Sequence, residues 1–289
     1  MHGPPLPPPQ SWQRLLALAL EEDIGPGDLT TSALVPADTI GEAVVEARQP
    51  LVVCGNEIAA SVIRSVDPGA SIESQRDDGT LVAPGDPLLE LRGDLRSLLV
   101  AERTALNVLQ RMCGVATHTR AFVDAVAGTG ARIVDTRKTL PGWRVLDKYA
   151  TAVGGALNHR MGLFDGVLIK DNHVALAGGT AMAVKTALAA APPGIRVQVE
   201  VESEADAVAA CDAGADFLLL DNRTPDELAA IVATVGHRAL LEASGGISLD
   251  NVRAVAESGV QRISIGALTH SAPAADLSME VRARGAATA

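Results

Sequence analysis

The stretch that decides the fold is residues 133–173, IVDTRKTLPGWRVLDKYATAVGGALNHRMGLFDGVLIKDNH. It begins with the short β-branched run Ile133-Val134, continues as a helical pattern from about Arg144, and reaches a second apolar run at residues 167–169. An apolar run, a helix and another apolar run predict a β-α-β unit. In such units the chemistry lies just past the carboxyl ends of the strands, so the residues after the two runs are the first candidates for a site.

Both runs lead into cationic residues. Thr136, Arg137 and Lys138 follow the first run, and Lys170 follows the second. Residues 132–170 carry seven basic and three acidic side chains, although the whole chain has a formal net charge of −11. Nucleic-acid binding usually presents a broad basic face, so this local cluster instead favours a small ligand with several negative charges. A solvated basic helix is the alternative, and it is less favoured because the charges fall at strand ends.

The composition is typical of an α/β protein with a large aliphatic core. Of the 289 residues, 47% are hydrophobic but only 2% are aromatic, which favours buried parallel strands built from Ala, Val, Leu and Ile. No charge-free apolar stretch reaches about 18 residues, so we expect no membrane span. Three cysteines, an odd number with no close pair, suit a reducing compartment and predict a cytoplasmic protein.

We predict three segments along the chain. Residues 1–10, MHGPPLPPPQ, contain five prolines and predict a disordered lead. We predict that residues 11–115 form an N-terminal α+β domain with helices. We predict that residues 116–289 form a C-terminal α/β barrel that carries the active site. A doubly wound sheet is the alternative to a barrel. It is less favoured because its ligands gather at one switch point, whereas here polar residues follow every apolar run.

Several helices can be placed from local signals. Helical patterns cover residues 11–22, 56–66 and 95–127, the last with a weak point at Gly114. Thr224-Pro225-Asp226-Glu227 is typical of a helix start, with proline at the first position and acids in the first turn.

The later strand ends supply further candidate site residues. Glu200 and Asp221 end two neighbouring runs, and the last two runs lead into Ser244-Gly245-Gly246 and Ser264-Ile265-Gly266-Ala267. Glycine lets backbone N–H groups approach an anion, and the last two loops of a barrel commonly bind phosphate. Ordinary turn glycines are the alternative. The two carboxylates either bind Mg²⁺ together with substrate oxygens or neutralise nearby lysines, and these interpretations are compatible.

Two other side chains receive modest interpretations from spacing. His159 and His173 lack metal-ligand spacing with each other or with any cysteine, which disfavours zinc. Arg103 lies in the predicted helix at residues 95–127, and spacing alone makes it a surface arginine.

The sequence resembles the quinolinate phosphoribosyltransferase family nearly from end to end. The resemblance rests on TRKTLPGWRVLDKYA, GGALNHR and LIKDNH in the deciding stretch, and on EEDIGPGDLTT, ERTALNVLQ, LLLDN, EASGGI and ISIGALTHSA elsewhere. The chain departs from the family at Gly154-Gly155-Ala156, where three glycines are usual, and at Cys113-Gly114-Val115, where Ser-Gly-Ile is frequent. Both departures are small changes on predicted helices.

This resemblance implies a small N-terminal α/β domain, an open C-terminal α/β barrel of about seven strands, and a homodimer whose partner helps to complete each site. It implies transfer of phosphoribose from phosphoribosyl pyrophosphate (PRPP) to quinolinate with decarboxylation, giving nicotinate mononucleotide, pyrophosphate and CO₂ on the way to NAD. Mg²⁺ is the implied metal, and no organic cofactor is implied.

The resemblance also implies residue roles. The quinolinate-binding set is Thr136, Arg137, His159, Arg160 and Lys170. Arg103 is the arginine donated by the other subunit, which reverses the interpretation from spacing. The catalytic residues on the PRPP and metal side are Lys138, Lys170, Glu200 and Asp221. The two glycine loops hold the 5-phosphate of PRPP.

Two other functions remain open from the sequence. A Schiff-base aldolase on the same barrel would use Lys170 as its nucleophile. A non-catalytic relative would bind an anionic ligand without turnover.

Overall fold

The computed structural model describes residues 3–283, which form two compact units that interleave along the sequence. The first unit contains residues 3–118, 140–154 and 272–283, and the second contains residues 119–139 and 155–271. The predicted division was a single cut at residue 115. The structure differs because residues 144–153 bury Leu146 in the core of the first unit and residues 277–283 pair with its sheet.

Helices and strands alternate along most of the chain. The helices are α1 (Gln13–Ile24), α2 (Leu29–Leu34), α3 (Asn56–Val66), α4 (Leu95–Ala125), α5 (Arg144–Val153), α6 (Asp171–Ala177), α7 (Thr180–Ala190), α8 (Glu204–Asp212), α9 (Pro225–Val235), α10 (Val252–Glu257) and α11 (Ala267–His270). The strands are β1 (Ile40–Ala47), β2 (Leu51–Val52), β3 (Ser71–Ser74), β4 (Leu81–Val82), β5 (Pro87–Asp94), β6 (Arg132–Val134), β7 (Val167–Ile169), β8 (Val197–Val201), β9 (Phe217–Asp221), β10 (Leu240–Ser244), β11 (Arg262–Ser264) and β12 (Leu277–Ala283).

The start of the described chain is more regular than predicted. Pro9–Ser11 forms a short 3-10 helix, and the buried Trp12 donates from its indole Nε1 to the carbonyl of Pro7 at 3.0 Å. This contact fixes a segment for which the proline pattern alone predicted disorder. The predicted disorder therefore does not hold for residues 3–10.

The first unit is built on a four-stranded antiparallel sheet in the order β12-β1-β5-β3. The long helix α4 begins in this unit, and it continues unbroken through Gly114, the predicted weak point. A Cβ at Gly114 would overlap the carbonyl oxygen of Pro273, so the glycine permits a close backbone approach. That approach brings the amide of Ala275 to the carbonyl of Gln110 at 2.9 Å.

The second unit is a parallel sheet of six strands in the order β6-β11-β10-β9-β8-β7, with helices following the strands. The predicted α/β class is confirmed, but about seven strands were expected. A single parallel bridge between Val134 and Leu157 extends the sheet beyond β6. The predicted β-α-β unit is wrong in its connection, because β6 and β7 are the two edges of the sheet and α5 belongs to the first unit.

Alternation along the strands decides which side chains meet the core of the second unit. Val199, Leu218, Leu220, Ala243 and Ile263 belong to its buried aliphatic cluster. Residues one position away along each strand point to the opposite face, since successive side chains in a strand alternate. Among residues 3–283, none of the helices combines the length and apolar character that a membrane crossing needs.

Candidate active site

A cavity of about 480 Å³ opens at the carboxyl ends of the strands of the second unit. It is lined by Thr136, Arg137, Lys138, His159, Arg160, Leu168, Lys170, Glu200, Leu219, Asp221, Asn222, Glu242, Ser244, Gly245, Gly246 and Ser264. The structure thus brings together both cationic strand ends, both carboxylates and the first glycine loop. Ligands bind at this end of parallel α/β sheets because the connecting loops converge there.

Strand register explains why these side chains converge. Asp221, Ser244 and Ser264 are register partners at the ends of β9, β10 and β11. Two residues earlier on their strands, Leu219 and Glu242 are partners in the next row. A step of two residues keeps a side chain on the same face, so both rows face the cavity.

The two arginines of the cavity are poorly neutralised. Burial lowers the pKa of the Arg160 guanidinium, and the charge of Arg137 lowers it further, while Asp165 acts in the opposite direction. Arg137 Nε is buried and has no hydrogen-bond partner among residues 3–283. Two guanidinium groups that repel each other in a partly desolvated site favour binding of an anion with more than one carboxylate.

Residues 158–160 reach the cavity because a buried aspartate anchors them. Asp135 is fully buried, and its carboxylate accepts from the amide of His159 at 2.7 Å and from Asn158 Nδ2 at 2.8 Å. Arg160 Nη1 donates to the carbonyl of Gly166 at 2.8 Å. These contacts hold the segment in one conformation and place Arg160 beside Gly166, the residue that precedes β7.

Glu200 and Asp221 lie on the neighbouring strands β8 and β9. Lys170 Nζ is 3.3 Å from Glu200 Oε2, and Asn222 Nδ2 donates to Asp221 Oδ2 at 2.6 Å. Residues 3–283 contain no group of three or more His, Cys, Asp or Glu side chains able to hold a metal. Mg²⁺ usually binds through only one or two carboxylates plus substrate oxygens, so the pair fits Mg²⁺ carried by a phosphorylated substrate.

The two glycine loops differ in the structure. Gly245 and Gly246 have φ values of 90° and 62°, and a Cβ at Gly245 would overlap Asn222 Oδ1. Their backbone therefore requires glycine beside Asp221. The next helix, α10, begins only at Val252, so its N-terminus does not directly follow these glycines.

The second loop contributes less to the cavity than predicted. Ser264 lines the cavity, but Ile265, Gly266 and Ala267 do not. Ile265 is buried in the aliphatic cluster, and a Cβ at Gly266 would lie 2.7 Å from Lys138 Cδ. This glycine makes room for the lysine stem, which the pattern of small residues could not reveal.

The comparison with known sequences decides the family. The family model described as quinolinate phosphoribosyl transferase, C-terminal domain, matches residues 115–280, and the corresponding N-terminal domain model matches residues 28–113. The chain belongs to the quinolinate phosphoribosyl transferase family. Similarity to individual relatives extends over more than nine tenths of the chain.

Relatives of this family are similar in sequence and in fold. The chain is 44% identical over 270 residues to a nicotinate-nucleotide pyrophosphorylase [carboxylating] of Mycobacterium leprae, covering 91% of this chain and 94% of that one. It is 39% identical to a probable enzyme of the same name from Bacillus subtilis, covering 93% of each chain. The crystal structure of NadC from Streptococcus pyogenes is 35% identical with a TM-score of 0.93, covering 96% of this chain and 99% of that one.

Two groups of residues depart from the site predicted for a member of this family. Arg103, which resemblance made a substrate-binding residue, lies on α4 in the first unit and does not line the cavity. Glu242, Leu168, Leu219 and Asn222 line it but were not predicted as site residues. Period-two alternation would have found Glu242, which lies two residues before Ser244 on the same strand.

Proposed function

We propose that this chain transfers phosphoribose from PRPP to quinolinate and decarboxylates the product. The products are nicotinate mononucleotide, pyrophosphate and CO₂, a step toward NAD. The observation that carries the proposal is the pair Arg137 and Arg160, two poorly neutralised guanidinium groups in the cavity of a chain of this family. Quinolinate has two carboxylates on one ring, and guanidinium groups bind planar carboxylates through paired hydrogen bonds.

Quinolinate recognition falls to one side of the cavity in this proposal. Arg137, Arg160 and Lys170 supply the positive charge, while Thr136 and His159 complete the wall. The cations must desolvate a dianion, and this requires several of them because each charged hydrogen bond offsets only part of the desolvation cost.

PRPP recognition falls to the opposite side. Glu200 and Asp221 lie near the ribose and stabilise the positive charge that develops on it as pyrophosphate leaves. Lys138 and Lys170 accept the pyrophosphate charge, and Mg²⁺ bound with Glu200 and Asp221 would add to that charge stabilisation. The 5-phosphate meets Ser244, Gly245 and Gly246 of the first glycine loop and Ser264 of the second, while Gly266 makes room for the Lys138 side chain.

Decarboxylation requires no organic cofactor in this proposal. Ribosylation makes the ring nitrogen positive, and the resulting pyridinium stabilises the electron pair left on the ring carbon as CO₂ departs. A proton from water then adds to that carbon and completes nicotinate mononucleotide. The protein contributes a cationic pocket that holds the ring while the carboxylate is lost. This agrees with a cavity lined by charged side chains and few apolar ones.

A homodimer completes the proposed site. Arg103 does not line the cavity of its own chain, which supports a role in the site of a partner subunit. Leu29 and Leu34 on α2 are 87% and 76% exposed, and such apolar exposure is typical of an interface.

We expect the enzyme in the cytoplasm, because its three cysteines are free and buried and suit a reducing compartment.

The aldolase alternative is less well supported. A Schiff-base nucleophile needs a desolvated lysine. The side chain of Lys170 is 52% exposed and ion-paired with Glu200.

One assay tests the proposed function. Quinolinate labelled in the carboxylate next to the ring nitrogen is incubated with enzyme, with and without PRPP, and released CO₂ and pyrophosphate are counted. Equal release of both, only when PRPP is present, supports the proposal. CO₂ release without PRPP, or ligand binding without release of either product, contradicts it.

A further inference from the structure

The cavity contains a buried carboxylate that the proposed function does not use. Glu242 on β10 is 0% exposed, and neither of its carboxylate oxygens has a hydrogen-bond partner among residues 3–283. Glutamate is rarely buried fully, and an unsatisfied buried polar group in a native protein calls for an explanation. Its position in the row below Ser244 places it beneath the proposed substrates.

Glu242 lies beside a histidine and a buried glutamine. His159 Nε2 is 3.6 Å from Glu242 Oε1 and 2.9 Å from Gln198 Oε1. Gln198 is 2% exposed and lies on β8, two residues before Glu200 on the same strand face. An amide oxygen only accepts hydrogen bonds, so His159 Nε2 carries a hydrogen and donates it to Gln198.

The charged and polar groups around Glu242 explain why the amide of Gln198 adopts this orientation. Burial raises the pKa of Glu242, and the charge of Arg262, together with that of His159 whenever this ring is protonated, lowers it in part. A carboxylate repels an amide oxygen and attracts an amide NH₂ group. Glu242 therefore favours the orientation in which Gln198 turns its oxygen to His159.

The second ring nitrogen of His159 is also assigned by its partner. His159 Nδ1 accepts from the backbone N–H of Arg160 at 2.8 Å. A backbone N–H only donates, so Nδ1 carries no proton. The two contacts together fit a His159 ring that carries its hydrogen on Nε2 and accepts at Nδ1.

We propose that Gln198 and Glu242 are positioning residues that hold His159 as the neutral Nε2–H tautomer and thereby aim Arg160 at the quinolinate carboxylates. The link is direct, because the amide of Arg160 is bound to the ring that Gln198 orients. The dianion then meets guanidinium charges that do not titrate, while the histidine supplies geometry. This inference rests on the proposed function.

The tautomer is tested without any activity measurement. Protein labelled with ¹⁵N-histidine is studied by NMR at about pH 7, near the range where free histidine titrates. The signal of His159 is identified by its loss in His159→Gln. We expect one nitrogen protonated and one unprotonated in the wild type, with the hydrogen on Nε2. A doubly protonated ring, or a hydrogen on Nδ1, overturns the inference.

Kinetics test the link to substrate. Gln198→Met keeps the size of the side chain and removes the acceptor, and we expect the quinolinate KM to rise about tenfold to a hundredfold. The PRPP KM stays unchanged, and the His159 signal loses its single tautomer. Glu242→Gln should cause a smaller rise in the same KM. Gln13→Met, exposed and in the first unit, is the matched control and should change neither constant.

The outcomes separate the inference from the function on which it rests. An unchanged quinolinate KM in Gln198→Met, or equal rises in both KM values, overturns the inference while the wild type still releases CO₂. Absence of PRPP-dependent CO₂ release in the wild type contradicts the proposed function instead. Should Gln198→Met not fold, the wild-type tautomer and Glu242→Gln still decide the question.

Discussion

At the scale of single residues, Arg137 and Arg160 have the clearest consequences. Their mutual repulsion and partial burial favour a dianionic ligand between them. We predict that Arg137→Ala and Arg160→Ala each weaken quinolinate binding by roughly 2–5 kcal/mol, the usual cost of losing a charged partner in a desolvated site. PRPP binding should change far less. Calorimetric titration with each ligand measures both effects.

A matched control distinguishes a local role from general charge loss. Arg132 is exposed on β6, the strand that leads toward Arg137, and does not line the cavity. Arg132→Ala should bind quinolinate like the wild type. Near-wild-type affinity in Arg137→Ala and Arg160→Ala would remove both residues from the site.

Asp221 makes the opposite prediction. Its carboxylate, at the end of β9, should act on PRPP through charge, so Asp221→Asn keeps the shape and removes the interaction. We predict a fall in turnover of about 10²-fold, corresponding to a transition-state charge interaction of roughly 3 kcal/mol. Quinolinate affinity should hardly change. Asp216→Asn, one residue before the same strand, is the control. A large loss of quinolinate affinity in Asp221→Asn would show that the two sides of the site are assigned in reverse.

The buried Glu242 gives a prediction about stability. Because burial raises its pKa, the folded state keeps a proton at pH values where the unfolded state has lost it, above about pH 4.3. The free energy of unfolding of the wild type should therefore fall, relative to Glu242→Gln, as the pH rises from that value toward the raised pKa. Urea unfolding of both proteins over this range measures the difference. A difference that is constant, or that grows in favour of the wild type, contradicts the prediction.

The sequence could predict those residues whose role follows from position at a strand end. Arg137, Lys138, Lys170 and Asp221 follow apolar runs, and Glu200 lies near the end of its run. The structure places all five around one cavity. Glu242 directly follows the apolar run at residues 239–241 but was not included among the predicted site residues. The structure continues β10 through it to Ser244, so it is a buried residue within the strand. Its role depends on the pairing of β10 with β9, which a single sequence does not reveal.

At the scale of elements, local sequence signals were sufficient to predict a helix wherever residues at the helix terminus specify where it begins or ends. The helix predicted at residues 56–66 is confirmed as α3. The helix start predicted at residues 224–227 is confirmed too, because α9 begins at Pro225, and the structure adds that Thr224 and Glu227 cap each other. The β-α-β interpretation of residues 133–173 was wrong. Periodicity identifies a helix but not the core into which its apolar face packs, and α5 packs into the first unit.

Gly114 gives a prediction at this scale. In α4 its hydrogen side chain allows the backbone of residues 273–275 to approach, and a methyl group would overlap the carbonyl oxygen of Pro273. Gly114→Ala should destabilise the protein by about 1–3 kcal/mol, because overpacking outweighs the gain in helix propensity. Asn107→Ala, exposed on the same helix, should change stability by no more than about 0.5 kcal/mol. Urea unfolding measures both, and a stabilised Gly114→Ala would refute the close approach.

At the scale of the whole molecule, the segments that cross between the units could not be located from the sequence. Residues 140–154 and 272–283 belong to the first unit. In the sequence, however, residues 140–154 lie within the segment predicted as a barrel, and residues 272–283 lie at its end. Membership of a core depends on contacts between distant segments, such as the pairing of β12 with β1. Domain boundaries predicted from local sequence patterns therefore miss segments that pack into the other unit of the same chain.

The dimer gives the last prediction. Arg103 does not line the cavity of its own chain, whereas Lys170 does. If each site takes Arg103 from one subunit and Lys170 from the other, Arg103→Ala and Lys170→Ala are each inactive alone. A hybrid dimer of the two variants then contains one site with both residues intact. Random exchange of subunits makes half of the dimers hybrids, so mixing should restore about a quarter of the wild-type activity. PRPP-dependent CO₂ release measures the recovery, and native mass spectrometry shows that hybrids have formed.

A control mixture, Lys138→Ala with Lys170→Ala, should stay inactive, because both of those residues belong to the same chain's site and no hybrid site is whole. Hybrids without recovered activity would place Arg103 outside the partner's site.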